Sequence, residues 1–256
     1  SCSKPGGFMI FNEIYQTRIE DYDKNGFLSL EAVLRIFENI GSHHSDSVSN
    51  SVIEGSLDGI AWIFVEWTIE IIDLPKYGEP VKVQTWINGK APSASVLRNF
   101  ILSDSKDSNL VKGTAKFALF DLNKRKPARI STELFELYSP EKRSVFENKS
   151  QRLTEPDVYD YEVNPAQRRS DIDFNGHVHN IKYLTYALEA LPYDVYLDME
   201  FSSLRILYKN PLSLAERITA KVSENSGDYT VGIYSEEKLC SIVEFICHKS
   251  ATGLSN

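Results

Sequence analysis

A chain of 256 residues, 42% apolar and 25% charged, has the make-up of a globular protein and the length for one large domain or two smaller ones. Its formal net charge of −8 argues against a nucleic-acid partner, because phosphate backbones select basic faces. Cys2, Cys240 and Cys247 are too few for a disulfide framework, no apolar run nears the ~18 residues of a membrane span, and the first eight residues lack a leader pattern. These features predict a cytoplasmic protein with no membrane segment. Two basic clusters, Lys124-Arg125-Lys126 with Arg129 and Arg168-Arg169, read as solvated loops or as a dock for an acidic partner.

The predicted elements repeat. A short strand over 13–20 leads to Asp21-Tyr-Asp23-Lys-Asn25-Gly26, and another, near 158–163, leads to Asp171-Ile-Asp173-Phe-Asn175-Gly176. The two D-x-D-x-N-G copies lie 150 residues apart. Each enters a helix. In the first, Leu30, Val33, Leu34 and Phe37 share a face, with Ser29 as N-cap and Gly41 as stop. His43 and His44 then fall in a serine-rich loop. In the second, Ile181, Leu184, Leu188 and Leu191 form the stripe and Pro192 ends it. Strand patterns follow at 63–72, 81–87, 94–103 and 112–122, and again at 197–207, 217–222, 229–235 and 239–248. One long helix per set of antiparallel strands predicts an α+β fold, a curved sheet wrapped on a buried helix in each half.

Calcium binding fails on the count. The bidentate Glu of an EF-hand belongs at the twelfth loop position, where the copies have Ala32 and Lys182. Cys247 and His248 are neighbours on a strand and point to opposite faces, so they do not form a nucleophilic pair. Neither motif supplies a metal site or a nucleophile.

The copies diverge where Phe27 in the first becomes His177 in the second, which suggests one working site and one retired copy. Asp173, Asn175 and His177 are the candidate catalytic residues. A neutral imidazole can take a proton from water. Asn175 can hold that water, or a carbonyl, without adding charge. Asp173 can orient the histidine or the loop backbone. The helix start near Val178 to Asn180 offers free N–H groups for an oxyanion, and His179 reads as structural.

The stretch Asp173-Phe-Asn175-Gly-His177-Val-His179-Asn180, with Tyr183 and Leu188-Glu-Ala-Leu-Pro192, resembles the signature of acyl-acyl-carrier-protein thioesterases. Trp62-Ile-Phe64, Tyr77-Gly78, Val83-Gln-Thr85-Trp86 and Asn123 to Arg129 are similar to the other half of that family. The resemblance implies a double hotdog fold, with an N-terminal hotdog at 9–125, a C-terminal hotdog at 157–250 and a connection at 126–156. It also implies hydrolysis of the thioester between a fatty acyl chain and phosphopantetheine on an acyl carrier protein, with no metal or other cofactor expected. By that resemblance Asp173, Asn175 and His177 are catalytic, and Trp86 in the first half is a candidate substrate-binding wall. Pairing of the intrachain pseudo-dimer into a homodimer is compatible with it. Family members carry a Glu on the strand after the second helix, where this chain offers Leu204 or Arg205. Acyl-coenzyme A hydrolysis, hydroxyacyl dehydration and non-catalytic acyl binding are the alternatives.

Overall fold

The computed structural model describes residues 10–50, 59–89, 94–147, 151–174, 176–198, 200–214 and 217–248. Two compact units are present: residues 1–67 with 72–150, and residues 68–71 with 151–256.

In the first unit, β1 (Phe11–Tyr15) leads through a 3-10 turn (Ile19–Asp21) to helix α1 (Leu30–Ser47). Strands β2 (Ile60–Ile71), β3 (Val81–Ile87), β4 (Ser95–Ser103) and β5 (Asn109–Asp121) follow, then β6 (Lys126–Pro127) and helix α2 (Thr132–Leu137). The antiparallel sheet runs β1-β3-β4-β5-β2. The second unit repeats this with β7 (Tyr161–Val163), a 3-10 turn (Arg169–Asp171), α3 (Asn180–Leu188), α4 (Tyr193–Asp198), β8 (Phe201–Tyr208), β9 (Ile218–Asn225), β10 (Asp228–Ser235) and β11 (Lys238–Cys247). Its sheet order, β7-β9-β10-β11-β8, is that of the first unit strand for strand, so the duplication visible in the sequence is a duplication of topology.

Helix α1 lies on β1 and β3, and α3 on β10 and β11. Leu30, Val33, Leu34, Phe37 and Ile40 of α1 are buried, and the Phe37 ring stacks 4.8 Å from that of Phe100 on β4. Burying each such side chain contributes about 1.5–3 kcal/mol. In the second unit Ile181, Leu184, Ala187 and Leu188 play that part. Residues 126–147 fold onto the first unit: β6 pairs with β5, and Ile130, Phe135 and Tyr138 form a small core with Ile87, Val96 and Leu119.

Three sequence expectations are corrected. Gly41 does not stop α1, which runs on to Ser47. A Cβ at Gly41 would meet Cδ of Arg98 at 3.6 Å, an ordinary contact, and the helix continues past this residue. His43 and His44 are accordingly helical, and His44 is buried. The strand expected from residue 197 begins only at Phe201, because α4 occupies 193–198.

His44 belongs to a buried polar cluster. Its Nδ1 lies 2.9 Å from Nη1 of Arg98, whose guanidinium sits 5.3 Å from the Tyr138 ring centroid. Burial draws Arg98 down to about 10, which leaves it charged at neutral pH. Burial, and after it the Arg98 cation, draw His44 down from 6.5 to about 3. A histidine depressed in the folded state stabilises the fold above its unfolded value, and that contribution is lost as pH falls from 6.5 toward about 3. Urea midpoints are therefore expected to drop across this window. His44→Gln, which keeps an acceptor for Arg98 but does not titrate, is expected to flatten the drop.

Candidate active site

The two D-x-D-x-N-G loops have one architecture, and each letter has a physical task. The first Asp is an anchor. Asp21 is fully buried; its carboxylate accepts from the Arg18 N–H at 2.7 Å and the Tyr15 hydroxyl at 3.0 Å, and it pairs with Arg35. Burial opposes ionisation of Asp21, but these partners outweigh it and hold the carboxyl below its ordinary range. Asp171, also buried, accepts from the Arg168 N–H at 2.8 Å and the Tyr186 hydroxyl at 2.7 Å, with Lys182 Nζ at 3.9 Å. The second Asp holds its own loop: Asp23 Oδ1 accepts from the N–H groups of Asn25 and Phe27 at 2.8 and 3.0 Å. Asp173 Oδ1 accepts from the N–H of His177 at 3.2 Å. The glycines take φ of +79° at Gly26 and +80° at Gly176, where other residues are strained. The sequence marks Asp21 and Asp171 as the head of each repeat but not as anchors; their signal was the repeat itself, since an anchor is needed in both copies.

Of the candidate residues, Asp173 and His177 are brought together through the backbone, with the Asp173 N–H also donating to the His177 carbonyl at 2.8 Å. Asn175 lies outside the described residues. The His177 side chain is exposed, whereas Phe27 is half-buried with the Lys76 ammonium 5.6 Å from its ring centroid. His177 bridges to Ser213 as Phe27 bridges to Lys76. The segment flanking His177, Lys209-Asn-Pro-Leu-Ser213, carries no carboxylate. Leu204 is buried, and Arg205 lies opposite Glu244 with Nη1 at 3.5 Å from its Oε1. Phe174 and Leu214 leave 65% and 53% of their surface exposed, so the imidazole's own segment and the flanking one both present apolar surface.

The start of α3 is more fully engaged than its sequence suggests. The Val178 N–H donates to the Leu212 carbonyl at 2.9 Å, that of His179 to the Asp171 carbonyl at 2.8 Å, and that of Lys182 to the His179 carbonyl at 2.8 Å. The Ile181 N–H donates to His179 Nδ1 at 3.3 Å. Among the described residues, the Asn180 N–H is left as the open donor at this helix end. The free donors expected over 178–180 thus reduce to one, three residues after His177, where the helix dipole favours negative charge.

Trp86 is fully buried; its indole N–H donates to the Arg143 carbonyl at 2.8 Å, and the Arg143 guanidinium lies 4.4 Å from its ring centroid. Burial, then Asp228 and Glu200, push the Cys247 thiol up, which disfavours the thiolate a nucleophile needs. No cluster of three metal-ligating side chains occurs among the described residues, nor does a helix long and apolar enough to cross a membrane.

Comparison with known proteins agrees with this arrangement half by half. The model of the acyl-ACP thioesterase N-terminal domain matches residues 9–138, and that of the C-terminal domain residues 152–243. The oleoyl-acyl carrier protein thioesterase 1 of Arabidopsis thaliana chloroplasts is 23% identical over 85% of this chain and 65% of its own length. The chloroplast dodecanoyl-[acyl-carrier-protein] hydrolase of Cinnamomum camphora is 21% identical over 90% and 64%. The chain therefore spans less than two-thirds of the length of these curated relatives. An acyl-ACP thioesterase structure from Bacteroides thetaiotaomicron superposes with a TM-score of 0.82 at 20% identity, covering 93% of this chain and 98% of that one. For the 12:0-ACP thioesterase of Umbellularia californica the TM-score is 0.81 at 17% identity, over 94% and 98%. These superpositions carry the double hotdog fold expected from the sequence. With one family domain on each repeat, and the divergent loop inside the second, the chain belongs to the acyl-ACP thioesterase family.

Proposed function

We propose that this protein hydrolyses fatty acyl thioesters of an acyl carrier protein and releases the free acid. The observation that carries the reading is the pair of matched loops, one with an exposed His177 beside a helix start with an open N–H, the other with Phe27 under Lys76. In this mechanism His177 takes a proton from water as the oxygen attacks the thioester carbonyl. The charge on the carbonyl oxygen is met by the Asn180 N–H. Collapse breaks the C–S bond, and the imidazolium returns its proton to the leaving thiolate. Asp173 keeps His177 in place through its backbone, and Asn175 is assigned the water or the carbonyl. In the same reading the exposed Arg168 and Arg169, joined to the site through Asp171, meet the acidic carrier. The sparse cysteines fit a cytoplasmic setting.

Dehydration would borrow a carboxylate from the first loop, but Asp21 and Asp23 are already committed to holding that loop. Non-catalytic acyl binding draws support from the carboxylate-free segment 209–213. The test is release of free thiol and fatty acid from a chain-length panel of acyl-carrier-protein and acyl-coenzyme A thioesters. Turnover favouring the carrier protein is expected. Acyl binding without release from any substrate would overturn the reading.

A further inference from the structure

The helix that follows the His177 loop is capped by a side chain that can titrate. In the first unit Ser29 caps α1, its Oγ accepting from the Ala32 N–H at 3.1 Å. Position for position, the second unit has His179, whose Nδ1 accepts from the Ile181 N–H at 3.3 Å. That bond needs Nδ1 unprotonated, with the ring proton on Nε2. A serine cap holds at every pH, whereas an imidazole cap fails once both ring nitrogens carry protons.

What hangs on this cap lies beside the proposed chemistry. The His179 N–H donates at 2.8 Å to the carbonyl of the buried Asp171, at the end of the 3-10 turn, and the Asn180 N–H comes next. We propose that His179 is a positioning residue whose protonation releases the first turn of α3 and loosens the His177 loop in acid. This rests on the thioesterase reading above. The charged groups around the ring are Asp173, whose carboxylate favours the imidazolium, and Lys182, which opposes it and lies 3.9 Å from Asp171. Burial, the largest cause, and Lys182 outweigh Asp173 and hold the imidazole below 6.5. The cap is therefore intact at neutral pH and fails as pH falls through that lowered value.

Two measurements test it. In nitrogen-15 NMR of the whole chain, the Ile181 amide is expected to shift along the same titration curve as the His179 ring. In kinetics, the acid limb of log kcat/KM is expected to be steeper for the wild type than for a variant whose cap does not titrate, by up to about fivefold in rate, the worth of the cap. His179→Ala is expected to lose about fivefold in kcat/KM at neutral pH, the worth of a cap of ~1 kcal/mol. His179→Ser restores the cap, recovers most of that loss and removes the extra steepness of the acid limb. An Ile181 amide that ignores the His179 titration, or a His179→Ser variant that keeps the steep limb, overturns the proposal. Absence of turnover would count against the thioesterase reading alone, because the NMR measurement judges the cap without it.

Discussion

His177→Ala is expected to lower kcat/KM for acyl-carrier-protein thioesters by about 10²–10⁴-fold, the range of a general base, while the melting temperature stays within a degree or two of the wild type. The two halves of this expectation have different sources. The imidazole is exposed, so its removal opens no cavity. The loop is held by the backbone of residue 177, through its N–H to Asp173 Oδ1 and its carbonyl to the Asp173 N–H, and alanine keeps both. Single-turnover thiol release and a thermal melt on the same preparation check it. A large loss of stability would mean that the histidine is structural. Unchanged turnover would move the base elsewhere, and the flanking segment 209–213 has no carboxylate to take over.

The duplication was legible because it is written in residue types with fixed tasks: a buried Asp anchor, an Asp that ties down its loop, and a Gly at positive φ. Such a pattern survives when the surrounding sequence drifts. The strands were legible for a related reason, since alternation follows from a sheet with one face on a helix. The misread pieces are those where a distant residue decides. Gly41 has the look of a helix stop, yet the helix runs on to Ser47 and buries His44 and Ser45 beyond it. His44 has the look of a loop residue until the Arg98 guanidinium, far along the chain, becomes its partner. Free N–H groups at the start of α3 were expected from helix geometry alone. Their loss to the Leu212 and Asp171 carbonyls and to the His179 ring depends on a neighbouring segment and a cap that no periodicity encodes.

Asp171→Ala is expected to cost about 3–5 kcal/mol of stability, the range for breaking a buried charged network, and to lower turnover per folded molecule at least tenfold. The carboxylate is the acceptor for the Tyr186 hydroxyl and the Arg168 N–H. Tyr186 is itself buried; burial first, then the hydrogen bond and charge of Asp171, push its phenol up. Without Asp171 the buried Tyr186 hydroxyl is orphaned, at about 1–3 kcal/mol, the part-buried Arg168 N–H loses its acceptor, and the turn that presents the Asp171 carbonyl to the His179 N–H slackens. Asp171→Asn keeps an acceptor and is expected to cost half as much or less. Asp21→Ala is the matched control. It strips the Arg18 N–H, the Tyr15 hydroxyl and the Arg35 guanidinium of their acceptor, so its loss of stability should be similar. It leaves the His177 loop untouched, and turnover per folded molecule should survive. Urea unfolding gives the first quantity, and kcat normalised to the folded fraction the second. Equal damage to turnover in both variants would mean that the Phe27 loop takes part in the chemistry, contrary to a single working site in the second unit.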